Sequence, residues 1–136
     1  MRNLIFLSFL FLSLTTFGQK KNEIVQRGIE VKRFYKQDIK DGDKEPYLEK
    51  EEFYNFQGEI VELKEYEDRG KELDKWIKYK YDEEANLTEE LELNEKGEQK
   101  KRVEYIYQKG LKVEKLSYDE KDRLEERKIY EYGVRK

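Results

Sequence analysis

Residues 81–124, YDEEANLTEELELNEKGEQKKRVEYIYQKGLKVEKLSYDEKDRL, carry the pattern that decides the fold. Set in register on its tyrosines, the stretch divides into YDEEANL from Tyr81, LNEKGEQ from Leu93, YQKGL from Tyr107 and YDEKDRL from Tyr118. The same unit extends upstream as YNFQGEI from Tyr54 and YEDRGKEL from Tyr66, so that successive heads stand 12, 15, 12, 14 and 11 residues apart. Each unit closes a segment with an aromatic or a leucine, turns through Asp, Asn, Glu, Lys and Gly, and reopens on an aliphatic residue, usually six positions after the head. So short a period holds one strand and one tight turn and leaves no room for a helix.

The turns have a backbone reason to form where they do. Gly58, Gly70, Gly97 and Gly110 can take the positive φ that hairpin loops require, and Asn86 or Asp122 approximates it where glycine is missing. Between turns the residues alternate. Leu87, Leu91 and Leu93 share one parity, as do Ile77, Tyr79 and Tyr81, Val103, Tyr105 and Tyr107, and Tyr130 and Tyr132. Same-parity residues line one face of a strand, with Lys and Glu between them facing water or pairing across strands. Two segments break the alternation: Leu111 and Val113 oppose Leu116 and Tyr118, and Val61 and Leu63 oppose Ile60 and Tyr66. A β-bulge reconciles each. The alternative is a sheet apolar on both faces, to which Trp76, Ile106 and Ile129 also point.

Upstream, Ile29 to Gln37 and Tyr47 to Asn55 read as a first hairpin with a longer loop around DIKDGDKEP, Pro46 standing at a strand entrance. Residues 19–28 carry no pattern and read as a mobile lead-in to a repeat domain spanning 29–136. The expected fold is all-β, an up-and-down antiparallel meander of about eight strands. Such a sheet must curl, close or pair with another chain to cover its apolar face.

Residues 1–18, MRNLIFLSFLFLSLTTFG, have the three parts of a secretory signal peptide: Arg2, an apolar run from Leu4 to Leu14, and small residues Thr16 and Gly18 before Gln19. A membrane-spanning helix needs about 20 apolar residues. This run is shorter and is broken by Ser8 and Ser13. No cysteine follows it, which removes a lipoprotein leader, so the expected destination is the periplasm or the outside of the cell with no membrane span after cleavage. The chain is 45% charged against 36% hydrophobic, yet its net charge is only −3. Disorder ordinarily goes with few aromatics and a large net charge, and 11 regularly spaced tyrosines with Trp76 argue for a folded chain.

The units YDEEANL and YDEKDRL resemble the YD-repeat consensus: tyrosine-aspartate, two residues, glycine, arginine or asparagine, then leucine. Repeats of this type belong to Rhs-like and wall-associated bacterial proteins and to short secreted proteins of the Bacteroidetes type, whose leaders the ending FGQ also resembles. The likeness covers roughly residues 53 to 133, with Ala85 and Asp122 standing where the consensus has glycine and only two of the six units keeping the aspartate. The motif is structural, so the resemblance implies a β-repeat fold and transfers no functional residue.

Reactive chemistry is thinly supplied. With no histidine and no cysteine, the chain lacks the commonest general base, the commonest transition-metal ligand and any thiol nucleophile, and Ser117 is the only serine beyond the leader. Asp41, Asp43, Glu45 and Glu52 fit positions 1, 3, 5 and 12 of a calcium loop, but Pro46 replaces the glycine of its sharp turn, so no metal and no cofactor is assigned. The basic run Lys100, Lys101 and Arg102 is too short and too well balanced by acids to be a nucleic-acid footprint. The aromatics Trp76, Tyr79, Tyr81, Tyr105 and Tyr107 are the candidate ligand-binding residues, with Trp76 of opposite parity to Tyr79 and Tyr81. Against this, tyrosine and tryptophan also suit a half-buried pleated sheet. The expectation is therefore a non-enzymatic structural or protein-interaction module of the cell envelope or the exterior, with a glycan- or cell-wall-binding module as the alternative. Its partner would be an envelope protein or glycan.

Overall fold

The computed structural model describes residues 16–136, which form one eight-stranded antiparallel sheet in the order of the chain. After helix α1 (Thr16–Gln26) come β1 (Val31–Lys36), β2 (Tyr47–Tyr54), β3 (Ile60–Glu67), β4 (Glu72–Tyr81), β5 (Leu87–Leu93), β6 (Gln99–Gln108), β7 (Leu111–Tyr118) and β8 (Leu124–Ile129). The all-β up-and-down meander is therefore the fold, and the first hairpin and its Pro46 entrance stand where the alternation placed them. Residues 1–15 of the expected signal peptide lie outside the described residues. No helix among the described residues is long and apolar enough to cross a membrane.

Residues 19–26, within the expected lead-in, belong to α1. The helix ends on Gly28 at φ +60°, with Gly28 N–H donating to the Val25 carbonyl and Ile29 N–H to the Ile24 carbonyl. That pair of bonds is the glycine-capped helix end in which the residue past the glycine folds back over the last turn. Lys21 pairs with Glu59 at 3.3 Å, and α1 lies so close to the β2–β3 turn that a Cβ on Gly58 would come within 2.9 Å of Val25 Cγ2. A pattern search tuned to strands passes over so short a helix, whose only sequence signal is Gly28.

Four of the turns share one construction. In 55–59, 82–86, 94–98 and 119–123 an Asn or Asp follows the head residue, and its side-chain oxygen accepts the N–H groups two and four residues on. The carbonyl of the fifth residue accepts the N–H of the first, and the fourth takes positive φ: Gly58, Ala85, Gly97 and Asp122. The expectation for Asn86 is corrected, since the left-handed position falls on Ala85 at φ +64°. Asn86 occupies the fifth place, where its amide donates to Asp82 Oδ2 at 3.0 Å, as the amides of Asn55 and Asn94 donate to Glu59 and Glu98. The acceptor at the first position sets the register of the turn, and the positive φ recurs at its fourth residue in all four.

Every hairpin also carries a register shift, beside the head residue in six of them and beside Tyr35 in the first. Tyr54 opposes Ile60 while Phe53 opposes Glu62, which leaves Val61 as the extra residue. Likewise Tyr107 opposes Lys112 while Ile106 opposes Glu114, leaving Val113. These are the two bulges that the broken parities require, and the five other hairpins repeat them. One extra residue per hairpin strengthens the local twist.

The sheet stays open and one layer thick. Its rows show why: Val31, Phe53, Glu62, Lys78, Leu91, Arg102, Tyr118 and Leu124 stand side by side across all eight strands, apolar and charged residues together. No face is continuously apolar, so neither needs a second layer. Instead, cation stems lie over rings: Lys64 Nζ is 4.7 Å from the Trp76 ring, Lys50 Nζ is 4.1 Å from Phe34 and the Arg102 guanidinium is 4.0 Å from Tyr118. Among the described residues the only buried apolar side chains are Leu93 and Val103, one on each face of the middle of the sheet. Extensive tertiary contact runs only between strands adjacent in sequence.

Candidate functional site

Register places the candidate aromatics on both faces. Tyr79 and Tyr81 on β4 and Tyr105 and Tyr107 on β6 lie on one face, astride β5, with Glu90 opposite both Tyr79 and Val103. Trp76 lies on the other face, opposite Lys64 on one side and Leu93 on the other, as its parity requires. The structure thus brings four of the five together and separates the fifth.

Of the four candidate tyrosines, Tyr81, Tyr105 and Tyr107 spend their hydroxyls inside the sheet. Tyr81 donates to the Ile60 carbonyl at 2.8 Å, Tyr107 to the Leu87 carbonyl at 3.0 Å and Tyr132 to the Lys112 carbonyl at 2.6 Å. Each acceptor lies 20 or 21 residues upstream, just past the preceding turn at the same end of the sheet, so each phenol stitches one hairpin to the next. A second series runs along the sheet. Tyr66 donates to Glu51, Trp76 Nε1 to Glu62, Tyr105 to Glu90 and Tyr118 to Glu104, in each case from one strand to a carboxylate on the strand before it. Sequence reading treats those glutamates as solvated charges and misses both series. The signal that finds them is the recurrence of the donor-to-acceptor interval once every hairpin.

These environments favour the neutral phenols. Burial, with the hydrogen bond to Glu51, pushes Tyr66 up to about 12, and burial, with Glu59 and Glu90 nearby, does the same for Tyr81. Tyr105 is pushed up to about 12 by burial and by Glu90, while Tyr54, Tyr79 and Tyr107 are raised for like reasons. None of these phenols supplies a base at neutral pH. Trp76 is half-buried, its indole N–H 2.6 Å from Glu62 Oε1, and its ring floors a shallow concavity with Leu73, Asp74, Leu93 and Asn94.

Ser117 is buried in β7 between Val103 and Glu126. The acidic loop before β2 is tied to protein partners: Asp43 accepts the Asp38 N–H and pairs with Arg69 at 3.0 Å, while Glu52 sits in β2 and accepts from Tyr54. Among the described residues no three or more acidic side chains converge as a metal site would need. The basic run is divided, Lys100 pairing with Glu92 and Arg102 with Asp122, Glu104 and Glu89. What the arrangement offers chemically is contact surface: two pleated faces of rings bordered by fixed charges. The chain matches no protein-family model, no curated protein and no solved structure.

Proposed function

We propose that the chain is an exported, non-enzymatic β-repeat module that acts by contact, as a structural or protein-interaction element of the cell envelope or the exterior. The observation that supports it best is the single layer: no described side chain is fully buried, so both faces meet the surroundings along the whole sheet. The YD-like repeat and the leader fit the same reading. A second reading, a glycan- or cell-wall-binding module, draws support from the four tyrosines gathered around Glu90 on one face.

Capture of envelope components on the immobilised mature chain tests both. Trp76→Ala and Tyr79→Ala alter opposite faces, so a true contact surface gives capture that one variant weakens and the other preserves, with unchanged circular dichroism. Loss of a glycan with Tyr79→Ala favours the second reading. Capture indifferent to both changes, or turnover of a cell-wall substrate by the purified chain, overturns the proposal.

A further inference from the structure

The two edges of the sheet are unlike most of its surface, because they present backbone groups that none of the described strands satisfies. β8 is exposed at all six positions, and β1 is exposed or half-exposed throughout while α1 sits against the β2–β3 turn. Glu30 gives its carbonyl inward to Tyr54 N–H, so Val31 and Arg33 direct their own N–H and C=O groups outward. Tyr130 N–H is spent inward on the Val113 carbonyl, so Arg127 and Ile129 direct theirs outward. β1 and β8 run antiparallel, as the first and last strands of an eight-stranded meander must.

Charged edge residues ordinarily block strand addition. Here their order does the opposite for one partner. When β1 of a second copy is set antiparallel on β8 with outward groups meeting outward groups, one register puts Val31 opposite Arg127. It also puts Lys32 opposite Glu126 and Glu30 opposite Lys128. Lys32 and Glu126 already lie on the same face of the sheet, so side chains match as well as backbone. The neighbouring registers fail on charge. Two residues one way oppose Lys32 to Lys128 and Arg33 to Arg127, and two the other way oppose Glu30 to Glu126.

We infer that the sheet continues from copy to copy, β1 of one chain adding to β8 of the next. The contact is head-to-tail, so it leaves a free β1 at one end and a free β8 at the other and builds open chains of copies. This goes beyond the proposed contact function, since it uses the edges and stands whether or not the faces bind a partner.

Sedimentation velocity of the full mature chain over a concentration series tests it. Glu30→Lys with Lys32→Glu, and separately Glu126→Lys with Lys128→Glu, each keep the net charge and reverse both pairs at every junction. The wild-type coefficient should rise with concentration. Each double variant, with the wild-type circular dichroism spectrum, should associate at least about tenfold more weakly. An equimolar mixture of the two restores every pair and should regain association. A wild-type chain that stays monomeric at millimolar concentration, variants that associate as it does, or a mixture no better than its components would overturn the inference. Trp76→Ala and Tyr79→Ala should leave sedimentation unchanged, which separates this contact from face recognition.

Discussion

At Ala85 the chain carries an alanine where three sister turns carry Gly58, Gly97 and Asp122, and all four positions have positive φ. An L-residue pays roughly 1–2 kcal/mol in the left-handed region because its Cβ crowds the carbonyl. Ala85→Gly should therefore stabilise the chain by about 1 kcal/mol, the gain being trimmed by the extra freedom of glycine in the unfolded state. Urea midpoints of the two proteins check it, and an unchanged or lower midpoint would refute the strain. At Gly97 the comparison runs the other way. Space is available there, since a Cβ would lie 3.6 Å from the Trp76 ring, so the backbone alone sets the cost. Gly97→Val should destabilise more than Gly97→Asn, because a β-branched residue tolerates positive φ worst. Equal midpoints would argue against the left-handed turn.

At the scale of strands, phenol and carboxylate partners tie each hairpin to its neighbour, and that gives stability a pH profile with two flanks. Tyr66, Tyr81 and Tyr105, pushed up to about 12, keep their protons where the unfolded chain loses them above the ordinary value of 10.0. Stability that these groups confer is present below pH 10 and should fall as pH rises from about 10 toward 12. Glu51 and Glu52 move the other way. Burial pushes each up, but hydrogen bonds from Tyr66 and Arg33 to the first, and from Tyr54 and Lys50 to the second, more than reverse it and hold both below 4.5. Their contribution is present above that value and should be lost as pH falls through it. Denaturant midpoints measured from pH 3 to pH 12 should show both flanks, and Tyr66→Phe should shrink both because it removes a phenol and a partner of Glu51 together. A flat profile above pH 10 would show the phenols to be unshifted.

At the scale of the molecule, strands pack extensively only against their neighbours in sequence, so stability approximates a sum over adjacent pairs, as in solenoid repeats. Removing residues 119–136, which deletes β8 and its turn, should leave a β-sheet circular dichroism spectrum and a lower thermal midpoint. Complete unfolding of the truncated chain would show that cooperativity reaches across the whole sheet. The interior gives no reason to expect that, since among the described residues the only buried apolar side chains are Leu93 and Val103.

The sequence by itself determined the strands, the turns and the existence of bulges, because period, turn chemistry and parity are local properties that act within one hairpin. It placed Trp76 opposite Tyr79 and Tyr81 for the same reason, a strand having two faces and a period of two. It did not reveal α1, whose single cap at Gly28 is a weak signal, nor that Ala85 and not Asn86 carries the positive φ, which depends on which residue supplies the acceptor at the first turn position. Only the tertiary structure decided that the sheet stays open and one layer thick. That outcome rests on which residue of one strand stands beside which residue of the next: registry mixes charge with hydrocarbon in the row that crosses all eight strands, leaving no continuously apolar face to be covered and two edges that no described strand pairs.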